Sequence, residues 1–234
     1  MGNPRVWCER VETVLPDEFA YRTAYAVLPE WRRCKVATLR FDADRCRSVA
    51  AWELLRRMLA EKGVCAETLA VTENEFGKPA FDSSLGIHFS LSHASERVMA
   101  AIDDRPVGCD VEKIVPFDEA VARGCLTDAE FARLAALPAG SGRDRAFVRL
   151  WVRKEAYVKA VGRGLGIDLK SFSVLPSEFP RGWFFSDFDF ADGYLGCVAS
   201  PRVHLVVSSC GCRASNKMIQ YTQLWQKKRI RRLR

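Results

Sequence analysis

The chain has 234 residues, 48% of them hydrophobic, 11% aromatic and 28% charged, which excludes a disordered or fibrous protein and leaves room for one large domain or two. Its net charge of +7 points to an anionic partner until the charge is located: eight of the 36 basic residues lie from Arg213 to Arg234 with no acid among them, leaving 28 basic against 29 acidic residues before them. The body is close to neutral, so no nucleic-acid binding by it is expected.

In chain order, the first clear element is DADRCRSVAAWELLRRMLAEKG, where Val49, Trp52, Leu55 and Leu59 recur at helical spacing and Gly63 stops the helix. The segments HFSLS and RVMAAID follow as strands around the turn HASE, and the turn DDRP leads to a third strand, VGCDVEKI. A second long helix is predicted from about Arg145 to Val161, stopped by the glycines of GRGLG. Beyond it SFSVL, WFFSDFDF, YLGCVAS and HLVVS read as further strands. Helix followed by a strand meander occurs in both halves. The expected fold class is α+β, as two similar α+β subdomains meeting near Arg105, with a ligand groove between them.

The nine cysteines are scattered, odd in number and without a Cys-x-x-Cys pair, and read as buried free thiols. No apolar run is long enough to span a bilayer, and no apolar stretch follows a basic N-terminus, so a cytoplasmic setting without membrane attachment is expected.

Two pairs carry potential chemistry. Asp110 and Glu112 stand two apart on a predicted strand, so both side chains leave one face about 7 Å apart at Cα. Hard oxygen donors on a half-buried strand suit magnesium, which keeps part of its shell for water and substrate phosphate. The bland explanation is a solvated acidic edge. Glu155 and Lys159 lie four apart in WVRKEAYVKAVG and share a helix face, for which the bland explanation is a surface ion pair worth a few tenths of a kcal/mol. Upstream, FGKP holds Lys78 in a turn and SLSH places Ser92 and His93 at a strand end; a lone histidine is more often a structural hydrogen-bonder than a catalyst. Cations and hydroxyls near a magnesium site would suit a diphosphate.

Taken together, FGKPAF, FSLSHA, VGCDVEKI and LWVRKEAYVKAVGRGLG resemble, in order and spacing, the 4′-phosphopantetheinyl transferases of the surfactin-synthetase-activating type, over roughly residues 30–210. The resemblance implies transfer of phosphopantetheine from coenzyme A to a serine of an apo acyl or peptidyl carrier protein, releasing 3′,5′-ADP. It implies a pseudo-twofold pair of subdomains, here 1–105 and 106–212, with 213–234 as a basic, disordered tail. Asp110, Glu112 and Glu155 would hold Mg2+, and Glu155 would accept the serine proton. Lys159 would contact the phosphates. Ser92 and His93 would bind the diphosphate or 3′-phosphate region, with His93 counted among the catalytic residues. Lys78 and Pro79 would lie against the nucleotide, and Arg33 and Arg47 would reach the 3′-phosphate. Glu30 departs from the family's pattern, which often has a basic residue there.

The carrier's docking surface is expected in FDEAVARGCLTDAEFARLAAL, with Leu126, Phe131 and Leu134 beside Arg123 and Arg133, and with Lys113 and Arg123 steering an acidic carrier; a core helix explains the apolar residues equally well. A monomer is expected, because two subdomains can enclose the coenzyme. The alternatives are a magnesium-dependent nuclease or phosphodiesterase, and a non-catalytic module binding acidic partners through 213–234.

Overall fold

The computed structural model describes residues 4–202 and 206–207; the predicted tail 213–234, Cys210 and Cys212 lie outside them. The chain opens with β1 (Arg5–Arg10) and four helices, α1 (Val11–Val14), α2 (Glu18–Ala26), α3 (Glu30–Thr38) and α4 (Asp42–Ala60). A hairpin, β2 (Val71–Glu73) and β3 (Pro79–Phe81), precedes β4 (His88–Ala94) and β5 (Arg97–Asp103). Then come β6 (Gly108–Lys113), α5 (Glu119–Cys125), α6 (Asp128–Ala135), α7 (Ser141–Val161), β7 (Phe184–Asp189), β8 (Tyr194–Ser200) and β9 (Val206–Val207).

The mixture of helix and sheet agrees with the expected α+β class. One sheet has the order β4-β5-β1-β9 and another β6-β8-β7. Within each, the first strand of the segment (β1 or β6) lies antiparallel to the last (β5 or β8), and that last strand pairs antiparallel with its predecessor. β9 is the exception, returning to run parallel to β1.

The sheets pack face to face. Val6, Cys8, Met99 and Ala101 of the first meet Cys109, Val111, Phe188 and Val198 of the second in a shared core. The opposite face of the first sheet, with Trp7, Val98, Ala100 and Ile102, packs on Trp52, Leu55 and Leu59 of α4. The opposite face of the second, with Leu195, Cys197 and Ala199, packs on Val152, Ala156 and Ala160 of α7. Four layers result, helix, sheet, sheet, helix, and successive residues of a central strand enter different cores.

The first 41 residues held a strand and three helices that periodicity did not reveal. β1 is buried on both sides, so Val6-Trp7-Cys8 shows no alternation to read. SFSVL forms no strand: Phe172 O accepts from Lys154 Nζ and Val174 N donates to Glu130 Oε1, so its backbone is bonded to buried side chains instead of a ladder. The helix expected from about Arg145 begins at Ser141. Among the described cysteines, Cys8, Cys109, Cys125 and Cys197 are buried, whereas Cys34 and Cys65 are exposed and Cys46 is intermediate; none is in a disulfide. Among the described residues, no helix is long and apolar enough to cross a membrane.

Candidate active site

β6 is an edge strand, so the N–H groups of Cys109 and Val111 need partners other than another strand. β4 supplies hydroxyls: Ser90 Oγ accepts from Cys109 N at 3.0 Å, and Ser92 Oγ from Val111 N at 3.3 Å. The alternate residues Gly108, Asp110 and Glu112 face α7. A methyl group on Gly108 would lie 2.0 Å from the Ala156 carbonyl oxygen and 2.4 Å from the Ala160 nitrogen, so only glycine lets α7 lie this close. That contact brings the charged end of the helix onto the acidic strand.

Asp110 is 2% exposed, which excludes a solvated acidic edge for it. Its Oδ1 accepts from Ser92 Oγ at 2.8 Å and from Lys159 Nζ at 2.6 Å, and Lys159 Nζ also reaches Ser92 Oγ at 3.1 Å. The Lys159 ammonium therefore goes to Asp110, not to Glu155 as a simple helical pair would have it. Among the described residues Asp110 Oδ2 is buried without a partner, an arrangement that costs free energy until something binds it.

Glu112 and Glu155 complete the acidic group. Burial, followed by repulsion from Asp110, pushes the Glu112 carboxyl up to about 7; Lys159 and the Trp151 indole pull the other way, and Glu155 adds to the rise. Burial and Asp110 likewise raise Glu155, against the pull of Lys159. Burial alone would lower the Lys159 ammonium, but the attraction of Asp110 prevails and its proton is held more tightly than usual. Three carboxyl groups that disfavour one another's charge, one with an orphaned oxygen, have the donor chemistry of a hard divalent cation site. The site is not preassembled: among the described residues, no three His, Cys, Asp or Glu side chains converge closely enough to hold a metal unaided. Magnesium commonly takes only one or two protein carboxylates and completes its shell with water and phosphate, so the residues fit that ion when a phosphate ligand accompanies it.

A cationic wall adjoins this group. His93 follows Ser92 on β4, and burial together with Arg32, Lys159 and Arg47 pushes its imidazole down to about 4. Because the ring also meets solvent, the three cations are the firmer cause, and His93 is neutral at physiological pH. Arg47 on α4 is paired with Asp44 and donates to Ser95 O at 3.3 Å. Arg33 turns elsewhere, its guanidinium 3.5 Å from Ala26 O. The buried cation is its neighbour Arg32, 7% exposed, whose Nη2 donates to Ser48 O at 3.1 Å and whose Nε has no partner. The sequence offered no signal to choose between adjacent arginines. Glu30 is exposed in the first turn of α3.

Lys78 and Pro79 lie where the hairpin enters β3. The Lys78 ammonium donates to Ala160 O at 3.1 Å and lies 3.4 Å from Val107 O, and burial pulls it down to about 8. In the segment expected to dock a carrier, α5 and α6 form two helices broken at Leu126 and Thr127; Leu126 and Leu134 are core residues, so burial accounts for them.

Comparison with known proteins agrees with the motifs. Residues 106–201 match the sequence model of the 4′-phosphopantetheinyl transferase superfamily. The chain is 34% identical over 148 residues to the 4′-phosphopantetheinyl transferase psf-1 of Bacillus pumilus, covering 63% of each chain. It is 35% identical over 132 residues to the 4′-phosphopantetheinyl transferase gsp of Aneurinibacillus migulanus, 56% of this chain and 54% of that one. Against the 4′-phosphopantetheinyl transferase Sfp of Bacillus subtilis strain 168 it is 36% identical over 100 residues, 43% and 44% of the two chains. The chain thus spans between 44% and 63% of the length of these three relatives.

Proposed function

We propose, from the premise that residues 106–201 are a domain of the 4′-phosphopantetheinyl transferase superfamily, that the chain transfers phosphopantetheine from coenzyme A to a serine of an apo acyl or peptidyl carrier protein. The observation that supports this most is the meeting of Ser92 from β4, Asp110 from β6 and Lys159 from α7 within hydrogen-bonding distance, with Glu112 and Glu155 beside them. In the reaction the carrier serine oxygen forms a bond to the phosphorus bearing the pantetheine arm. The bond from that phosphorus to the bridging oxygen breaks, and 3′,5′-ADP departs.

Asp110, Glu112 and Glu155 would hold Mg2+, which when bound neutralises the diphosphate. Glu155 takes the serine proton, directly or through water; its raised affinity for protons suits a base working near neutrality. Lys159, moving from Asp110 to phosphate oxygen, offsets charge on the departing group. Neutral His93 donates to the phosphates, and Ser92 joins it once its hydroxyl turns from Asp110. Arg32, buried between α3 and α4, and Arg47 meet the 3′-phosphate in place of the expected Arg33, which turns to Ala26 O, while Lys78 and Pro79 lie against the nucleotide. The nuclease alternative draws no support from the relatives.

The matching strand orders of the two sheets support reading 1–105 and 106–212 as subdomains related by a pseudo-twofold axis, with the coenzyme between them. The setting proposed is cytoplasmic and the enzyme a monomer. The test is formation of 3′,5′-ADP from coenzyme A, Mg2+ and an apo carrier. Glu155→Gln is expected to lower the rate by about 100-fold or more with an unchanged circular dichroism spectrum. A fully active variant would remove the role assigned to Glu155.

A further inference from the structure

The tip of the β2–β3 hairpin sits on the C-terminal end of α7. Four carbonyls at a helix end lack partners within the helix, and they carry the negative end of its dipole. Gly162 closes α7 in the left-handed conformation, φ 77°, with its N–H on Val158 O. The hairpin takes two of the carbonyls that remain. Asn74 Nδ2 donates to Gly162 O at 2.7 Å, and Lys78 Nζ donates to Ala160 O at 3.1 Å. Asn74 Oδ1 in turn accepts from the N–H groups of Phe76 and Lys78, which fixes the loop that presents both side chains. A methyl group on Gly162 would lie 2.8 Å from Lys78 Cδ, and one on Gly166 3.0 Å from the Phe76 ring, so the glycines of GRGLG are where the hairpin presses.

The second contact of the same ammonium gives the arrangement a purpose beyond capping. Lys78 Nζ also lies 3.4 Å from Val107 O, at the entry to β6. One cation thus spans the last turn of α7, a residue from Lys159, and the start of β6, three residues from Asp110. It straddles the Gly108 crossing on which helix and strand rest.

We infer that the Lys78 ammonium is a positioning group, clamping α7 to β6 so that Glu155 and Lys159 stand at a fixed height over Asp110 and Glu112. This deepens the proposed function, for which Lys78 was otherwise a nucleotide contact; the aliphatic stem can meet the nucleotide while the ammonium stays on the carbonyls. Asn74 assists by holding the hairpin tip.

Lys78→Met keeps the stem and removes only the ammonium. Mg2+ titration of the whole chain by calorimetry, with saturating coenzyme A present to supply the diphosphate, is expected to show affinity about tenfold weaker than wild type, as is usual when a group supporting metal ligands is lost. Hydrogen exchange should accelerate at the last-turn amides of α7, with Asn74→Ala giving a smaller change of the same sign and Lys78→Arg restoring most of the protection. In the carrier assay kcat should fall while KM for coenzyme A changes by no more than about twofold. Unchanged Mg2+ affinity and unchanged α7 exchange, with a raised KM for coenzyme A, would overturn the inference and make the ammonium a ligand contact. If Lys78→Met does not fold, exchange in Asn74→Ala decides. The calorimetry and exchange measurements judge the clamp even if wild type modifies no carrier, an outcome that would count against the proposed function alone.

Discussion

A buried guanidinium without a carboxylate is an expensive thing to build into a fold, and among the described residues Arg32 is one: burial pushes it down to about 10, one carbonyl accepts from it, and its Nε is unpartnered. Such a group is stabilised when an anion arrives. Arg32→Met should raise KM for coenzyme A by roughly 10- to 100-fold, the worth of a charged hydrogen bond, while Arg33→Met should change it by about twofold at most. With 3′-dephospho-coenzyme A the Arg32 variant and wild type should converge; equal penalties on both substrates would place the anion elsewhere. The resemblance pointed to Arg33 and Arg47 and not to the buried Arg32, because adjacent helical residues differ in direction and a single sequence carries no phase for α3. Asp110, Glu112, Glu155 and Lys159 were legible for the opposite reason, since period-two and i to i+4 spacing fix a shared face wherever the element lies. What spacing could not tell was that Lys159 would pair across elements with Asp110, or that Trp151 would touch Glu112.

The element that positions the site is α7, and ion pairs tie it down on two sides, first toward the sheet it packs on. Asp187 on β7 accepts from Arg153 Nη2 at 2.6 Å and lies 3.3 Å from Arg149 Nη1. Burial alone would raise the Asp187 carboxyl, but Arg153 and Arg149 prevail and hold it below the ordinary aspartate range. A folded-state value below the unfolded one gives stability that is present above about pH 3.8 and lost as pH falls through the folded value. Asp187→Asn should therefore cost about 2–4 kcal/mol at pH 7 and progressively less below pH 3.8, read by denaturant unfolding across pH. A pH-independent loss would assign the effect to packing. On the side toward α6 Lys154 and Glu130, both fully buried, pair at 2.8 Å, and Glu130 also completes the capping box of α6 with Thr127. Lys154→Met alone should destabilise by about 3–5 kcal/mol, and adding Glu130→Leu should restore part of it, because the single change strands a buried charge. A capping box such as Thr-Asp-Ala-Glu is a local pattern, whereas the pairing of its glutamate with α7, and hence the bonded loop in place of a strand at SFSVL, depends on residues far apart in sequence.

At the scale of the molecule, the two sheets share a core and are joined at both ends. Arg97 on β5 lies over the Phe190 ring and pairs with Asp192 at 2.9 Å, while Asp103 accepts from Ser200 Oγ at 3.0 Å and Arg202 pairs with Asp104. Thermal unfolding is accordingly expected as one transition, coincident by near- and far-ultraviolet circular dichroism; two separated transitions would show that the halves unfold independently. The repeated order of helix and meander was visible in hydrophobic periodicity, but the face-to-face packing of the sheets and the return of β9 to β1 were not, since both join segments far apart in the chain. The proposed role of the groups gathered by β4, β6 and α7 is to activate a carrier serine against a diphosphate. Intact-mass spectrometry of an apo carrier protein, incubated with the purified chain, coenzyme A and Mg2+, is the decisive measurement. The expected result is a gain equal to one phosphopantetheine group, located on a serine; carriers of both acyl and peptidyl type left at their apo mass under high enzyme concentration would rule the proposed function out.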